Sequence, residues 1–178
     1  MKTIIAKSGK KITFRHLKNS DIKMLYQWVK TVEKEDTYIL LNPNEPVSFK
    51  EEKEFLKKSI EDYKNKKKII IGAFENHKYL GSCSIEQLER RQKHVGRLGI
   101  VLLKNYRSEG IGKQLAEHTI NLAQKKLGLS QIILAVFANN KIGQRLYKKM
   151  GFKKYGRHPK AVLYKGQKID EILLYKNL

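Results

Sequence analysis

The chain has 178 residues, 40% of them hydrophobic and 31% charged, with a formal net charge of +21. That length suits one ordinary domain around a single core, and the composition excludes a disordered chain. No apolar run nears the roughly 20 residues of a membrane-spanning helix, and the basic start Met1–Gly9 lacks the apolar stretch of a signal peptide. The lone cysteine, Cys83, excludes an internal disulfide and reads as a small buried hydrophobe on a strand. A cytoplasmic setting is expected, with no membrane association.

The charge is unevenly spread. Between Glu33 and Asp62 nine acids face five lysines, a balance of −4 that leaves +25 on the rest of the chain. Lysine-rich surfaces attract polyanions, whereas an acidic island on such a protein suits a cation.

In chain order, Ile12 to Leu17 alternates like a first strand. Asn19-Ser20-Asp21 then offers cap chemistry for a helix to about Thr31, with Ile22, Leu25, Tyr26 and Val29 on one face. A loop through Asn42-Pro43-Asn44-Glu45-Pro46 leads to a capping box, Ser48 to Glu51, and a second helix bearing Phe49, Leu56, Ile60 and Tyr63. Ile69 to Phe74 and Tyr79 to Leu88 predict a hairpin, and Val95 to Leu103 a third strand after the basic turn Arg90 to Lys93. Ile111 to Leu127 predicts a helix with Ile111, Leu115, Leu122 and Leu127 inward and Gly128 as its stop. The apolar run Ile132 to Ala138 suits a strand buried on both faces. Asn139-Asn140 opens a short helix bearing Ile142, Leu146, Tyr147 and Met150, and Lys160 to Tyr164 with Ile169 to Tyr175 form a closing hairpin. The order β-α-α-β-β-β-α-β-α-β-β, unbroken by linker or repeat, predicts one α/β domain over residues 1–178.

The most informative stretch is Tyr106-Arg107-Ser108-Glu109-Gly110-Ile111-Gly112-Lys113, between a predicted strand and a predicted helix. Glycines there allow close backbone approach, so that N–H groups and the positive end of the helix dipole face an anion. The P-loop pattern is absent, and a dinucleotide fingerprint would need a third glycine where Leu115 stands. What remains is Arg107-x-x-Gly110-x-Gly112, preceded by Gly99-Ile100-Val101-Leu102 and followed by Asn140, Tyr147 and Met150-Gly151-Phe152.

These linked pieces, covering about Val95 to Phe152, resemble the Gcn5-related N-acetyltransferases, the GNAT superfamily. The resemblance implies a mixed, mostly antiparallel sheet with a central parallel pair of strands that splay apart, and acetyl-CoA as cosubstrate. By position, Ile100, Val101 and Leu102 match the strand that hydrogen-bonds the pantetheine arm. Arg107, Ser108, Glu109, Gly110, Ile111, Gly112 and Lys113 match the pyrophosphate loop. Asn140 resembles the asparagine that contacts the arm, although it also suits a helix cap. Tyr147 resembles the general acid that protonates the departing thiolate, although it also suits the core.

The chain departs from the family at the base. Members acetylating ribosomal-protein N-termini carry a glutamate five residues before the asparagine, where Ala135 stands, and many relatives have one where this chain has Arg97. Glu86 and His94 remain as candidates. Because the first two helices form the acceptor side in this family, Glu33, Glu35 and Asp36 are expected to attract a small cationic amine such as a polyamine, amino acid or aminoglycoside. A protein N-terminus or lysine is the alternative acceptor. A binding protein using Arg90, Arg91, Lys93 and the Lys64 to Lys68 cluster on RNA or the ribosome is a further alternative, disfavoured because no RNP-like or helix-turn-helix pattern is present. His16, His77, His94, His118 and His158 are scattered, so no metal is expected. The closing hairpin offers a sheet edge through which a homodimer would pair.

Overall fold

The computed structural model describes residues 1–35 and 37–178. Its strands are β1 (Lys2–Ile5), β2 (Lys11–His16), β3 (Lys68–Glu75), β4 (Lys78–Gln87), β5 (Val95–Leu102), β6 (Gln131–Phe137), β7 (Lys153–Tyr164) and β8 (Gln167–Asn177). Its helices are α1 (Ile22–Glu35), α2 (Phe49–Lys64), α3 (Ile111–Leu127) and α4 (Lys141–Lys149). The strands form one sheet in the order β1-β2-β3-β4-β5-β6-β8-β7. Only β5 and β6 run parallel; the other neighbours are antiparallel.

Side-chain alternation along β3 divides the core between the two faces of the sheet. Ile69, Ile71 and Ala73 join Ile111, Leu115, Ala116, Ile120 and Ala123 of α3 in one buried cluster. Ile70 and Phe74 point the other way, onto Leu25 of α1 and Leu56 of α2. Each aliphatic fully withdrawn from water contributes about 1.5–3 kcal/mol. Tyr147 and Met150 place α4 in the same cluster as α3. Among the described residues no helix is long and apolar enough to cross a membrane.

Polar anchors set the helix starts. Asp21, only 3% exposed, accepts two hydrogen bonds from the Arg15 guanidinium at 2.7 and 2.9 Å and one from Lys18 N–H, fixing the turn into α1. Ser48 and Glu51 form the expected reciprocal box at α2.

Four expectations are corrected. An N-terminal strand, β1, precedes the one predicted and pairs Ile4 with Ile12; four residues are too few to show an alternation. The last hairpin begins at Lys153 instead of Lys160, because Gly156 and Pro159 make that stretch read as loop. Both sit where the β7–β8 register shifts, and bulges are where strands tolerate such residues. Strand β6 is buried on both faces only at its end, where Phe137 is 6% exposed. Ile132, Leu134 and Val136 are buried, whereas Ala135 is exposed and Ile133 half-buried. The exposed face is apolar because it borders a groove. Finally, Ile142 of α4 is 66% exposed and does not join the core.

Candidate active site

The groove arises where the parallel pair opens. β5 and β6 are matched only at Val95 with Gln131, Gly96 with Ile132 and Arg97 with Ile133. Beyond Arg97 the ladder ends, while β5 stays paired to β4 as far as Leu102 and β6 stays paired to β8 throughout. The closed end is tight, since a Cβ on Gly96 would lie 2.5 Å from Leu129 and 2.7 Å from Ile85. Past it, one edge of β5 has no strand partner among the described residues. Leu103 N–H donates to Leu80 of β4, whereas the Leu102 carbonyl turns away and accepts from Arg107 Nε at 2.8 Å. Backbone alternation then turns the N–H and C=O of Ile100 toward the open edge, the side on which an extended arm can add as a surrogate strand.

At the mouth of this opening the chain makes one tight turn, Lys104–Tyr106, and enters the glycine loop. Tyr106 is buried and its hydroxyl donates to Glu75 at 2.5 Å. Ser108 and Gly110 take left-handed conformations, with φ of 65° and 80°. Gly110 precedes α3 without any side-chain cap, so the first N–H groups of the helix, at Ile111, Gly112 and Lys113, are presented outward. A Cβ on Gly112 would meet Leu102, Ile100 and Leu146 at ordinary distances of 3.6–3.9 Å. The protein itself has room for that methyl, so the fold alone does not require glycine there. Bare N–H groups and a helix dipole fit a pyrophosphate.

Arg107 and Glu109 of the loop turn to the protein, whereas Ser108 and Lys113 are exposed. Arg107 donates to Leu102, to Thr37 Oγ1 at 3.0 Å and to Glu35 Oε2 at 2.5 Å. Glu109 holds the turn between β1 and β2, its carbonyl accepting from Lys7 N–H and its carboxylate from Ser8 N–H. Lys113 pairs with Glu117 at 3.7 Å.

Asn140 caps α4, its Oδ1 accepting from Gly143 N–H at 2.9 Å. Tyr147 is 8% exposed, lies edge-on to Phe152, and its hydroxyl makes no hydrogen bond among the described residues. Burial pushes its phenol pKa well up, so the hydroxyl keeps its proton at neutral pH.

The two candidate bases are separated. In β4, Cys83 and Ile85 point to the α3 side, so Ser82, Ser84 and Glu86 point to the opposite face of the sheet, the side of α1 and α2. Glu86 lies opposite Arg97, the last residue of β5 before the opening, and is exposed. His94 is exposed just before β5, at the end of the strand away from the loop, where its carbonyl accepts from Ser130 and Gln131 N–H. Glu86 therefore lies one strand away from the point where the β5–β6 ladder ends, between Lys68 and Arg97, and His94 lies beyond the closed end.

The acids expected on the acceptor side do structural work. Glu33 is 6% exposed; it accepts from Val47 N–H at 2.6 Å and from Lys30 at 3.1 Å, tying the end of the α1–α2 loop to α1. Glu35 accepts from Lys104 N–H at 2.9 Å as well as from Arg107. Asp36 lies outside the described residues. Beside Glu33, the carboxyl of Glu52 is pushed up to about 7 by burial and by the Glu33 charge.

A set of residues invisible to sequence reasoning completes the mouth. Tyr38 from the α1–α2 loop, Phe137 at the end of β6 and Tyr164 at the tip of the last hairpin pack ring to ring, with centroids 5.1–6.1 Å apart. Nothing in their spacing signals the contact, which only the folded loop creates.

Comparison with known proteins agrees with this fold. Residues 14–173 match the family model described as an acetyltransferase (GNAT) domain. The chain belongs to the GNAT acetyltransferase family. It is 29% identical over 92 residues to an L-amino acid N-acetyltransferase, AaaT, of Escherichia coli K12, an alignment that takes in 51% of this chain and 57% of that relative. A GNAT-family acetyltransferase from Streptococcus pneumoniae superposes with a TM-score of 0.83 at 28% identity, over 94% of this chain and 99% of the other. The fold is also that of a ribosomal-protein-S5-alanine acetyltransferase from Vibrio fischeri, with a TM-score of 0.84 at 22% identity over 93% and 92% of the two chains. It is likewise that of a spermidine N-acetyltransferase from Vibrio cholerae solved with CoA and spermine, with a TM-score of 0.78 at 20% identity over 93% and 95%.

Proposed function

We propose that the protein transfers the acetyl group of acetyl-CoA to a primary amine. The observation that carries this reading is the uncapped glycine turn at the start of α3, set at the open edge of β5. Backbone N–H groups of Ile111, Gly112 and Lys113 hold the pyrophosphate, and the free edge at Ile100 receives the pantetheine arm. The amine nitrogen attacks the thioester carbonyl from the groove, forming the C–N bond as the C–S bond breaks and its electron pair leaves with sulfur. Tyr147 delivers a proton to that sulfur, and the proton lost by the amine passes to Glu86 directly or through water. An alkyl ammonium, with an ordinary pKa near ~10.4, needs such an acceptor at neutral pH.

Small amines are the proposed acceptor class. The relatives include enzymes named for an amino acid and for a polyamine, and Glu86 places a carboxylate opposite Arg97, where the β5–β6 ladder ends, with Lys68 on its other side. Relatives named for ribosomal proteins make a protein N-terminus the competing class. The test is thiol release from acetyl-CoA across polyamines, amino acids, aminoglycosides and N-terminal peptides. Turnover with one of the small amines is the expected result. Turnover with peptides alone would reassign the acceptor, and no turnover despite tight CoA binding would refute the transfer to these amines.

A further inference from the structure

The contacts of Arg107 join the glycine loop to the end of α1 and to the loop that follows it. Glu35 is the last residue of α1, where the helix dipole disfavours a carboxylate. Its placement there is compensated at both oxygens, by Lys104 N–H at 2.9 Å and by Arg107 Nη2 at 2.5 Å. Arg107 in turn spends Nε on the Leu102 carbonyl and Nη1 on Thr37. One ion pair therefore ties the end of α1, the loop that follows it, the last residue of β5 and the first residue of the phosphate cradle. The pair is partly withdrawn from water, with the two side chains 14% and 31% exposed, so solvent screens it less than a surface bridge.

We propose that Glu35 is a positioning residue: acting through Arg107, it holds the glycine loop in its phosphate-binding shape and so sets the affinity for the cosubstrate. This rests on the acetyl-CoA reading. Lys104 and Leu102 lie on either side of the junction between β5 and the loop, so fixing both sets the direction in which the backbone leaves the strand. Arg107 then enters the cradle extended, with ψ of 158°, and the turn through Ser108 and Gly110 follows. Without the Glu35 carboxylate, Lys104 N–H loses its acceptor and the guanidinium keeps only Leu102 and Thr37. Linkage makes the coupling reciprocal, so a shift of the α1 end at Glu35 changes the affinity for CoA, and CoA binding in turn steadies the α1 end.

The test titrates CoA calorimetrically into wild type, Glu35→Gln, Glu35→Ala, Arg107→Lys and the double variant Glu35→Ala/Arg107→Lys, with a melting temperature for each. Glutamine still accepts from Lys104 N–H, so Glu35→Gln weakens CoA about threefold and Glu35→Ala about tenfold. A lysine at 107 cannot serve Leu102 and residue 35 together, so the double variant binds no more weakly than the weaker single one. A merely structural Glu35 would lower the melting temperature and leave CoA affinity alone. The proposal is overturned if folded Glu35→Ala, or folded Glu35→Gln where the alanine variant fails to fold, binds CoA as wild type does. Losses that simply multiply in the double variant overturn it too. Wild type that fails to bind CoA would instead sink the acetyl-CoA reading, and this inference with it.

Discussion

Gly112 separates the needs of the fold from those of the ligand. Because a Cβ there meets its protein neighbours at ordinary distances, Gly112→Ala should fold with a melting temperature within about 2 °C of wild type. The methyl nevertheless sits beside the bare N–H groups proposed to hold the pyrophosphate, and CoA affinity should fall at least about tenfold by titration, the loss of roughly one good contact. Equal affinity would mean that the pyrophosphate sits elsewhere. For Tyr147 the expected separation is between chemistry and binding. Its hydroxyl carries no structural hydrogen bond, so Tyr147→Phe should preserve packing against Phe152 and the affinity for CoA while kcat drops about 10²-fold. Glu52 predicts a pH effect of definite sign. Its folded pKa, about 7, lies above that of an ordinary carboxyl. Across that interval the folded state binds more protons than the unfolded one, and stability is lost as pH rises toward 7. Glu52→Gln should therefore raise the melting temperature at pH 8 by about 2–5 °C. The gain should vanish near pH 4, where the native side chain is also neutral.

At the level of the elements, the turn into α1 depends on a single carboxylate. Asp21→Ala would strand the Arg15 guanidinium and the Lys18 N–H together, which should cost about 3 kcal/mol in urea unfolding; a loss below about 1 kcal/mol would mean that water replaces the pair. Such anchors are where sequence and structure agreed best. The alternating β2, the boxed start of α2 and the strand-turn-helix around Gly110 were legible because each is a local pattern with a local cause. Strand β6 misled for a physical reason: an apolar run signals burial but does not say by what, and here one face borders the groove. Glu33 and Glu35 read as free acids because their partners, Val47, Lys104 and Arg107, are 14, 69 and 72 residues away. The ring trio of Tyr38, Phe137 and Tyr164 was unreadable for the same reason. Asn140 gave two readings, and the structure displays the cap.

Across the whole molecule the charge is more polarised than the total suggests. Residues 118–169 contain twelve lysines and arginines and no acid, and Lys141, Arg145 and Lys148 form a stripe along one exposed face of α4. Retention on heparin should therefore depend on this region. Reversing Lys148, Lys149, Lys153 and Lys154 to glutamate should lower the eluting salt far more than reversing four exposed lysines of α2, and an equal effect would show that only total charge matters. The gap between β5 and β6 bears on the life of the protein in a cell. Most chains hide unsatisfied strand borders at the margins of a sheet, whereas this one keeps such a border near the middle, beside exposed apolar side chains. On the proposed reading the slot is filled by a metabolite, which at one hundred times its dissociation constant adds about 2.7 kcal/mol to stability. When the supply of activated acetyl groups falls, the emptied slot should be the first place for proteases and stray strands to take hold. The amount of this protein would then follow the abundance of its own fuel, with no regulator in between.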